Sequence, residues 1–431
     1  MAPARRIPKD SSGGGSLVDD YVKSVPDDWR HDRLKDVASL RSEKTDEKSS
    51  VEDYLELEDI ESWSMRILNW RNTEEVESAV TKFEKGDVLF GKLRPYLAKV
   101  YRPGKSGKCT GEILAIHPTH IDGGYLQYAL IDPEMIKKCT LFSYGAKMPR
   151  VNWTTQLSTF EIPIPPRPEQ ERIAAFLDEK CATVDKAIEV KRKQLESLEA
   201  IWKNLFYRAT TQGLSVQTRM VASGNALFPR IPVGWKVVRI KNIGTLRYGL
   251  GEPPEISDDG IPMIRATDFR AGKIDDRKMI RINPADLPEG RNAFLRTGEI
   301  IVVRSGAYAG DSTIIPAKYN GYISGYYMVV TITKAVPEFI AYAFLSKHIL
   351  DDQLLLLSLR AAQPHVNAEQ VLNLGLPLPP KEEQKKIAVY LSRNRDYLDS
   401  LAASLRKQIE TLAQYRKSLI HEFVTGVRRV V

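Results

Sequence analysis

Pro163-Ile-Pro-Pro-Arg-Pro-Glu-Gln-Glu-Arg-Ile-Ala174 and Pro377-Leu-Pro-Pro-Lys-Glu-Glu-Gln-Lys-Lys-Ile-Ala388 are one motif used twice, with Gln170 and Gln384 standing 214 positions apart. At that offset Ile173 falls on Ile387, Leu177 on Leu391, Asp185 on Asp399 and Gln194 on Gln408, so the chain is a duplication. Each copy reads as a long helix. Proline is tolerated in a first helical turn, and neither glycine nor proline interrupts the positions that follow. Forty residues at ~1.5 Å each make a rod of roughly 60 Å.

The second copy repeats leucine every seventh residue at Leu391, Leu398, Leu405, Leu412 and Leu419, and the first copy carries Leu177, Val184, Leu198 and Leu205 at matching places. A heptad keeps one face of a helix against a partner over its whole length, so the two copies are expected to pair as a coiled coil through these residues. Lys191 interrupts the first stripe, and Gln194 and Gln408 fall near the seam, where paired polar groups would fix register.

Working outward, Ile-Pro-Val-Gly-Trp235 follows the first helix as Val-Pro-Asp-Asp-Trp29 opens the chain's first half, so the repeating unit is a globular domain plus a helix. Within the domains, Leu57 to Ile60 matches Ala266 to Phe269, and Lys85 to Phe90 matches Thr297 to Val302, the latter a turn glycine and an acid before a β-prone run. The reading is a mixed α+β chain with an internal pseudo-twofold repeat: a flexible 1–16, a domain over 17–162, a helix over 163–214, a second domain over 215–376 and a second helix over 377–431. A few short helices are expected, for instance Pro337 to Leu357. Between their shared anchors the domains differ almost completely, which points to two ligands held by one geometry.

The divergent stretches after strands are the candidate recognition loops. Lys92, Arg94, Tyr96, Ser143, Tyr144, Lys147 and Arg150 lie in the first domain, and Arg265, Arg304, Ser305, Tyr308, Arg360, Gln363 and His365 in the second. Arginine can bond guanine with two parallel N–H groups, glutamine can do the same for adenine, and glycine lets a backbone approach a duplex. The net charge of +8 agrees with a polyanionic partner. No apolar run is long enough to cross a bilayer, and the N-terminus has no secretory pattern. Three scattered cysteines, Cys109, Cys139 and Cys181, point to a reducing, cytoplasmic setting.

The residues supply no catalytic constellation. There is no phosphate-cradling Gly-x-x-x-x-Gly-Lys loop, no dinucleotide turn, and no Asn/Asp-Pro-Pro-aromatic tetrapeptide of amino-methyltransferases. His117 and His120 read as surface histidines and Glu189-Val-Lys191 as a solvated helix face, so neither metal nor catalysis is expected.

Domain, helix, domain, helix, with Pro-x-Pro-Pro-x-x-Glu-Gln-x-x-Ile-Ala opening both helices, resembles the DNA specificity subunit of type I restriction-modification enzymes from about Leu17 onward. Ser418 to Gly426 is similar to that family's helix end, whereas Asn204 to Gly213 departs from it by one residue. The resemblance implies an antiparallel helix pair holding two target-recognition domains at its opposite ends, each reading half of a split, asymmetric site on double-stranded DNA. The helices would act as a ruler for the unread gap. It further implies a subunit that is not an enzyme and binds no cofactor itself. Its expected partners are two methyltransferase subunits using S-adenosylmethionine, joined by restriction subunits using ATP and Mg. Two alternatives stay open at this stage: a coiled-coil scaffold linking two protein- or peptide-binding domains, and an orphan subunit of the same family.

Overall fold

The computed structural model describes residues 25–215, 217–251, 254–290, 292–355 and 365–430; the stretch 1–16 expected to be flexible lies outside them. Five helices of eight or more residues occur among them: α1 (Gly123–Ile131), α2 (Pro133–Phe142), α3 (Arg167–Gln212), α4 (Pro337–Phe344) and α5 (Lys381–Val424). The chain forms two compact units, one of residues up to Arg192 together with those from Lys407 on, the other Lys193–Arg406.

In the first unit an antiparallel sheet runs in the order Ala38–Arg41, Ile113–Pro118, Val88–Gly91, Val100–Tyr101. The second unit builds the same order from Gly244–Tyr248, Tyr327–Ile332, Ile300–Val303 and Ser312–Ile314. Each unit adds a parallel pair beside it, Tyr54–Leu55 with Gly107–Cys109 and Ile256–Ile264 with Ile323–Ser324. The central strands are apolar on both faces. Val88, Leu89 and Phe90 are buried, as are Ile300, Ile301 and Val302, because helices cover one side and the second sheet the other.

The anchors shared by the two halves are structural acids. Asp59 accepts the Glu56 N–H and Asp268 the Arg265 N–H, closing equivalent turns. Asp87 accepts the Glu84 N–H and pairs with Arg41, while Glu299 accepts the Arg296 N–H and pairs with Arg247. Burial alone would raise the pKa of Asp87 and of Glu299; hydrogen bonds from Arg41 and from Arg247, each with a backbone N–H, outweigh it and hold both carboxyls low.

The repeated Pro-rich motif corrects the expected helix starts. Pro163 and Pro377 lie in the strands Glu161–Ile164 and Gly375–Leu378, paired with Arg30–Arg33 and Lys236–Arg239, and the helices begin only at Arg167 and Lys381. A two-stranded edge accepts a residue without an N–H, and the double proline then turns the chain, its second carbonyl receiving the first helical N–H groups. The Gln of the motif is 2 % exposed in both copies and spans this corner. Gln170 accepts the Asp122 N–H at 2.7 Å and donates to the Pro165 carbonyl at 2.8 Å; Gln384 accepts the Val336 N–H at 2.8 Å and donates to the Pro379 carbonyl at 2.7 Å. The preceding Glu receives the indole N–H of the Pro-x-x-Trp motif, Trp29 on Glu169 and Trp235 on Glu383. Both helices stop at a left-handed glycine, Gly213 (φ +79°) and Gly426 (φ +76°), so the extra residue in the first copy leaves the type of ending unchanged.

Within the first unit α3 and α5 run antiparallel: Phe176 stacks on Phe423, and nine residues further along α3 Asp185 pairs with Arg416, seven residues earlier on α5. In the second unit Phe206 of α3 shares a core with Ile387 and Leu391 of α5, and Trp202 lies under Arg395. Leu177, Val184, Leu391, Leu405 and Leu419 are buried, and Leu198, Leu205, Leu398 and Leu412 are half-buried. Gln194 and Gln408 are exposed rather than buried in a seam; away from the helix ends, Arg395 and Arg416 are buried polar residues of α5. The segment expected to be helical from Pro337 to Leu357 is interrupted at Leu345 and Ser346, whose hydroxyl bonds the Ala343 carbonyl; its continuation ends at Leu355, and 356–357 lie outside the described residues.

Candidate nucleic-acid interface

In the first domain the loops after Val88–Gly91 and after α2 form one platform. Lys92 accepts the Val151 N–H through its carbonyl at 3.0 Å, Leu93 bridges Arg150, and the Arg94 N–H reaches the Pro149 carbonyl at 2.7 Å. Tyr144 and Arg150 exchange both backbone bonds. Gly91 suits the root, since a Cβ there would stand 2.6 Å from the Leu57 Cδ1 and 3.2 Å from the Lys99 Cβ and would make those side chains shift. Arg94 adopts φ +51°, which only the surrounding bonds make tolerable for a residue with a Cβ.

The side chains sort into two groups. Arg150 lies on Glu112 (Nε–Oε2 3.0 Å, Nη2–Oε1 3.1 Å), and the Ser143 hydroxyl donates to the Thr140 carbonyl at the end of α2, so these two hold the platform together. Lys92, Arg94 and Lys147 have no hydrogen-bond or ion-pair partner for their side chains among the described residues, and Tyr96 and Tyr144 are 46 % and 57 % exposed. Next to them Leu141, Phe142 and Met148 are also exposed, which the sequence reading passed over.

The second domain repeats the backbone with different side chains. The Arg304 carbonyl accepts the Val366 N–H at 2.8 Å as Lys92 accepts that of Val151, and Ser305 bridges His365 as Leu93 bridges Arg150. Lys92 and Arg304 therefore occupy one position, and so do Tyr96 and Tyr308, four residues on. The Arg304 guanidinium sits 5.0 Å from the Tyr248 ring and 5.1 Å from the Tyr326 ring. Arg270 covers Tyr308 at 3.9 Å, positioned because Asp311 in the same loop accepts the N–H of Ala271 at 2.9 Å. Arg265 is committed elsewhere, to both oxygens of Asp268 and to the Lys278 carbonyl. Ser305 and Tyr308 are exposed and His365 half-buried; Arg360 and Gln363 lie outside the described residues.

Sequence reasoning missed Tyr248, Tyr326 and Arg270. Each adjoins a strand end, and the two tyrosines stand beside Gly249 and Gly325, a weak signal that only strand pairing converts into a site.

Both platforms hang on the helices by a buried arginine that captures the carbonyl of a left-handed turn. Arg416 donates to Trp63 (φ +63°) at 2.8 Å and to Ser64 at 3.2 Å; Arg395 donates to Ala271 (φ +47°). His117 Nδ1 lies 2.9 Å from Asp87, part of the Arg41 cluster, and no group of three or more metal-ligating side chains occurs among the described residues. Cys109, Cys139 and Cys181 are free and buried, their thiols pushed up by desolvation to about 12, 12 and 11. No described helix is long and apolar enough to cross a membrane.

Comparison with known proteins supplies the family. The profile of the type I restriction modification DNA specificity domain matches residues 26–200 and again 232–411. The chain is 25 % identical over 342 residues to the type I restriction enzyme MjaVIII specificity subunit of Methanocaldococcus jannaschii, covering 76 % of each chain. It is 22 % identical over 428 residues to the MjaIX specificity subunit of the same organism, covering 95 % of each. A solved structure described as the basis of complex assembly and conformational transition of the type I R-M system matches with a TM-score of 0.68 at 17 % identity, over 93 % of this chain and 98 % of that one, which shows a shared fold. With two profile matches that coincide with its two structural repeats, this chain belongs to the type I restriction-modification DNA specificity family and carries that domain twice.

Proposed function

We propose that this chain is the non-catalytic, sequence-specific DNA-binding subunit of a type I restriction-modification complex. Each platform reads one half of a bipartite, asymmetric site on double-stranded DNA. The α3–α5 pair sets the unread gap and docks two methyltransferase subunits that modify adenine with S-adenosylmethionine. Restriction subunits using ATP and Mg join that assembly, which works in the cytoplasm, where three free cysteines stay reduced. The observation that carries the reading is one backbone platform built twice with different side chains at equivalent places, Lys92 against Arg304 and Arg150 against His365. A common frame with divergent tips suits two different half-sites better than one repeated ligand. The cations Lys92, Arg94 and Lys147 are free to meet phosphate or base edges.

The test is selection from randomised duplex DNA at near-physiological salt, using this chain co-expressed with a methyltransferase subunit of its own source. Two different short motifs at one fixed separation are expected. A single ungapped motif would remove the bipartite reading, and no enrichment would remove DNA recognition altogether in favour of a protein scaffold.

A further inference from the structure

Among the arginines on and around the second platform, Arg304 is the one held between two rings instead of by carboxylates, whereas Arg270 has the single ring of Tyr308. Arg247 lies on Glu299 and Arg265 on Asp268, their charges neutralised inside the domain. Arg304 has no carboxylate partner among the described residues, and its Nε is buried without a hydrogen bond. Tyr248 and Tyr326 lie against the guanidinium at nearly equal distances, 5.0 and 5.1 Å. Tyr248 is locked, because its hydroxyl accepts the Ala368 N–H at 3.1 Å. Tyr326 adjoins the core strand Tyr327–Ile332 and is 46 % exposed. The backbone beneath is pinned by Val366 and by the Ser305–His365 bridge.

A planar guanidinium attracted to two aromatic rings loses rotamer freedom and keeps its charge, while its N–H donors lie in the plane of the group and remain to be satisfied. A lysine in that place would offer a point charge with no fork. The major-groove edge of guanine presents two acceptors, O6 and N7, spaced for such a fork; a phosphate offers a similar pair of oxygens but no sequence information. Because the equivalent place in the first domain holds Lys92, which has no fork, a base contact particular to the second domain accounts for the geometry better than a phosphate contact common to both.

We propose that Arg304, clamped by Tyr248 and Tyr326, is a specificity-determining residue that reads one guanine in the half-site of the second domain. This rests on the DNA-binding role proposed above. Lys92, at the same place in the first domain, is given no ring clamp among the described residues, so the first half-site carries no corresponding fork contact.

The experiment repeats the duplex selection with the intact chain in its methyltransferase complex, as wild type, Arg304→Lys and Tyr326→Leu. In the wild type one half-site should contain an invariant guanine. Arg304→Lys should cut the preference at that one position roughly ten- to hundredfold, as expected for one lost bidentate base contact, with the other half-site and the salt dependence unchanged. Tyr326→Leu should weaken the same position and no other. Replacing that guanine by 7-deazaguanine in the wild-type site, which needs no protein variant, should mimic Arg304→Lys. A uniform loss over all sequences with a shallower salt slope would make Arg304 a phosphate contact and overturn the proposal. So would a second half-site without guanine. If the wild type selected no motif, the failure would lie with DNA recognition itself and would take this proposal with it.

Discussion

Replacing Gln170 by leucine isolates the motif that organises the chain. Leucine is close to glutamine in volume and creates little cavity, so the change removes two hydrogen bonds and little else. It strands the Asp122 N–H, at the start of α1, and the Pro165 carbonyl, at the turn into α3, in a corner where the side chain is 2 % exposed. A buried backbone group left without a partner costs about 1–3 kcal/mol, so the pair should cost about 2–6 kcal/mol. That corresponds to roughly 30-fold to 10⁴-fold in a local opening equilibrium. A chain of two units does not unfold in one step, so a single melting temperature is a poor readout. Native-state hydrogen exchange reports each segment separately. Gln170→Leu should speed exchange in peptides covering 122–131, and Gln384→Leu in peptides covering 336–344. Gln170→Glu keeps the acceptor for Asp122 but as a carboxylate offers Pro165 no proton, so its defect should lessen on acidification. Exchange within about twofold of wild type in both leucine variants would refute the reasoning and leave the motif's recurrence without a structural cause.

Three further outcomes can be checked. Arg416→Met removes a 3 % exposed cation from Asp185 and from the Trp63 and Ser64 carbonyls; breaking such a pair should cost about 3–5 kcal/mol, and Arg416→Met with Asp185→Leu should recover part of it in a double-mutant cycle of hydrogen-exchange opening free energies for the first unit. The hydrogen bond to Asp132 raises the pKa of His421 against burial, with Glu134 and Glu422 adding to the rise. A raised folded-state value means the stabilisation is complete below the ordinary 6.5 and is lost as pH climbs through the raised value. His421→Gln should therefore lower the hydrogen-exchange protection of the C-terminal end of α5 more near pH 5.5 than near pH 8.5, after correction for intrinsic exchange, and an equal effect at both would contradict the pairing. Deleting the heptad Leu398 to Ser404 should change the gap between half-sites, or abolish folding, while leaving the bases within each half-site as before. Altered base preference in the duplex selection would count against the ruler.

Much of the architecture was legible because duplication leaves a comparison inside one chain. The repeated Trp, Glu and Gln stood out at one spacing, and each proved to take part in satisfying a backbone or indole N–H at the same corner. The helix starts were misplaced by about four residues, since proline is tolerated both in a first helical turn and on a two-stranded edge, and only the partner strands at Arg30–Arg33 and Lys236–Arg239 decide between these. Gln194 and Gln408 looked like seam residues because a heptad stripe gives their approximate face but not the rotation of a packed helix.

The candidate interface divides the same way. Residue type and position after a strand pointed to Lys92, Arg94 and Arg304, but they pointed equally to Arg150 and Arg265, which the fold spends on Glu112 and Asp268. Whether an arginine faces outward or closes an internal ion pair depends on which carboxylate the folded chain brings beside it, and Glu112 stands 38 residues from Arg150. The sequence by itself determined the duplication, the two long helices, the family and the loops that differ. Only the tertiary structure decided which cations remain free and that Tyr248 and Tyr326, 78 positions apart in the chain, close on Arg304, because strand pairing and not spacing along the chain brings those rings together.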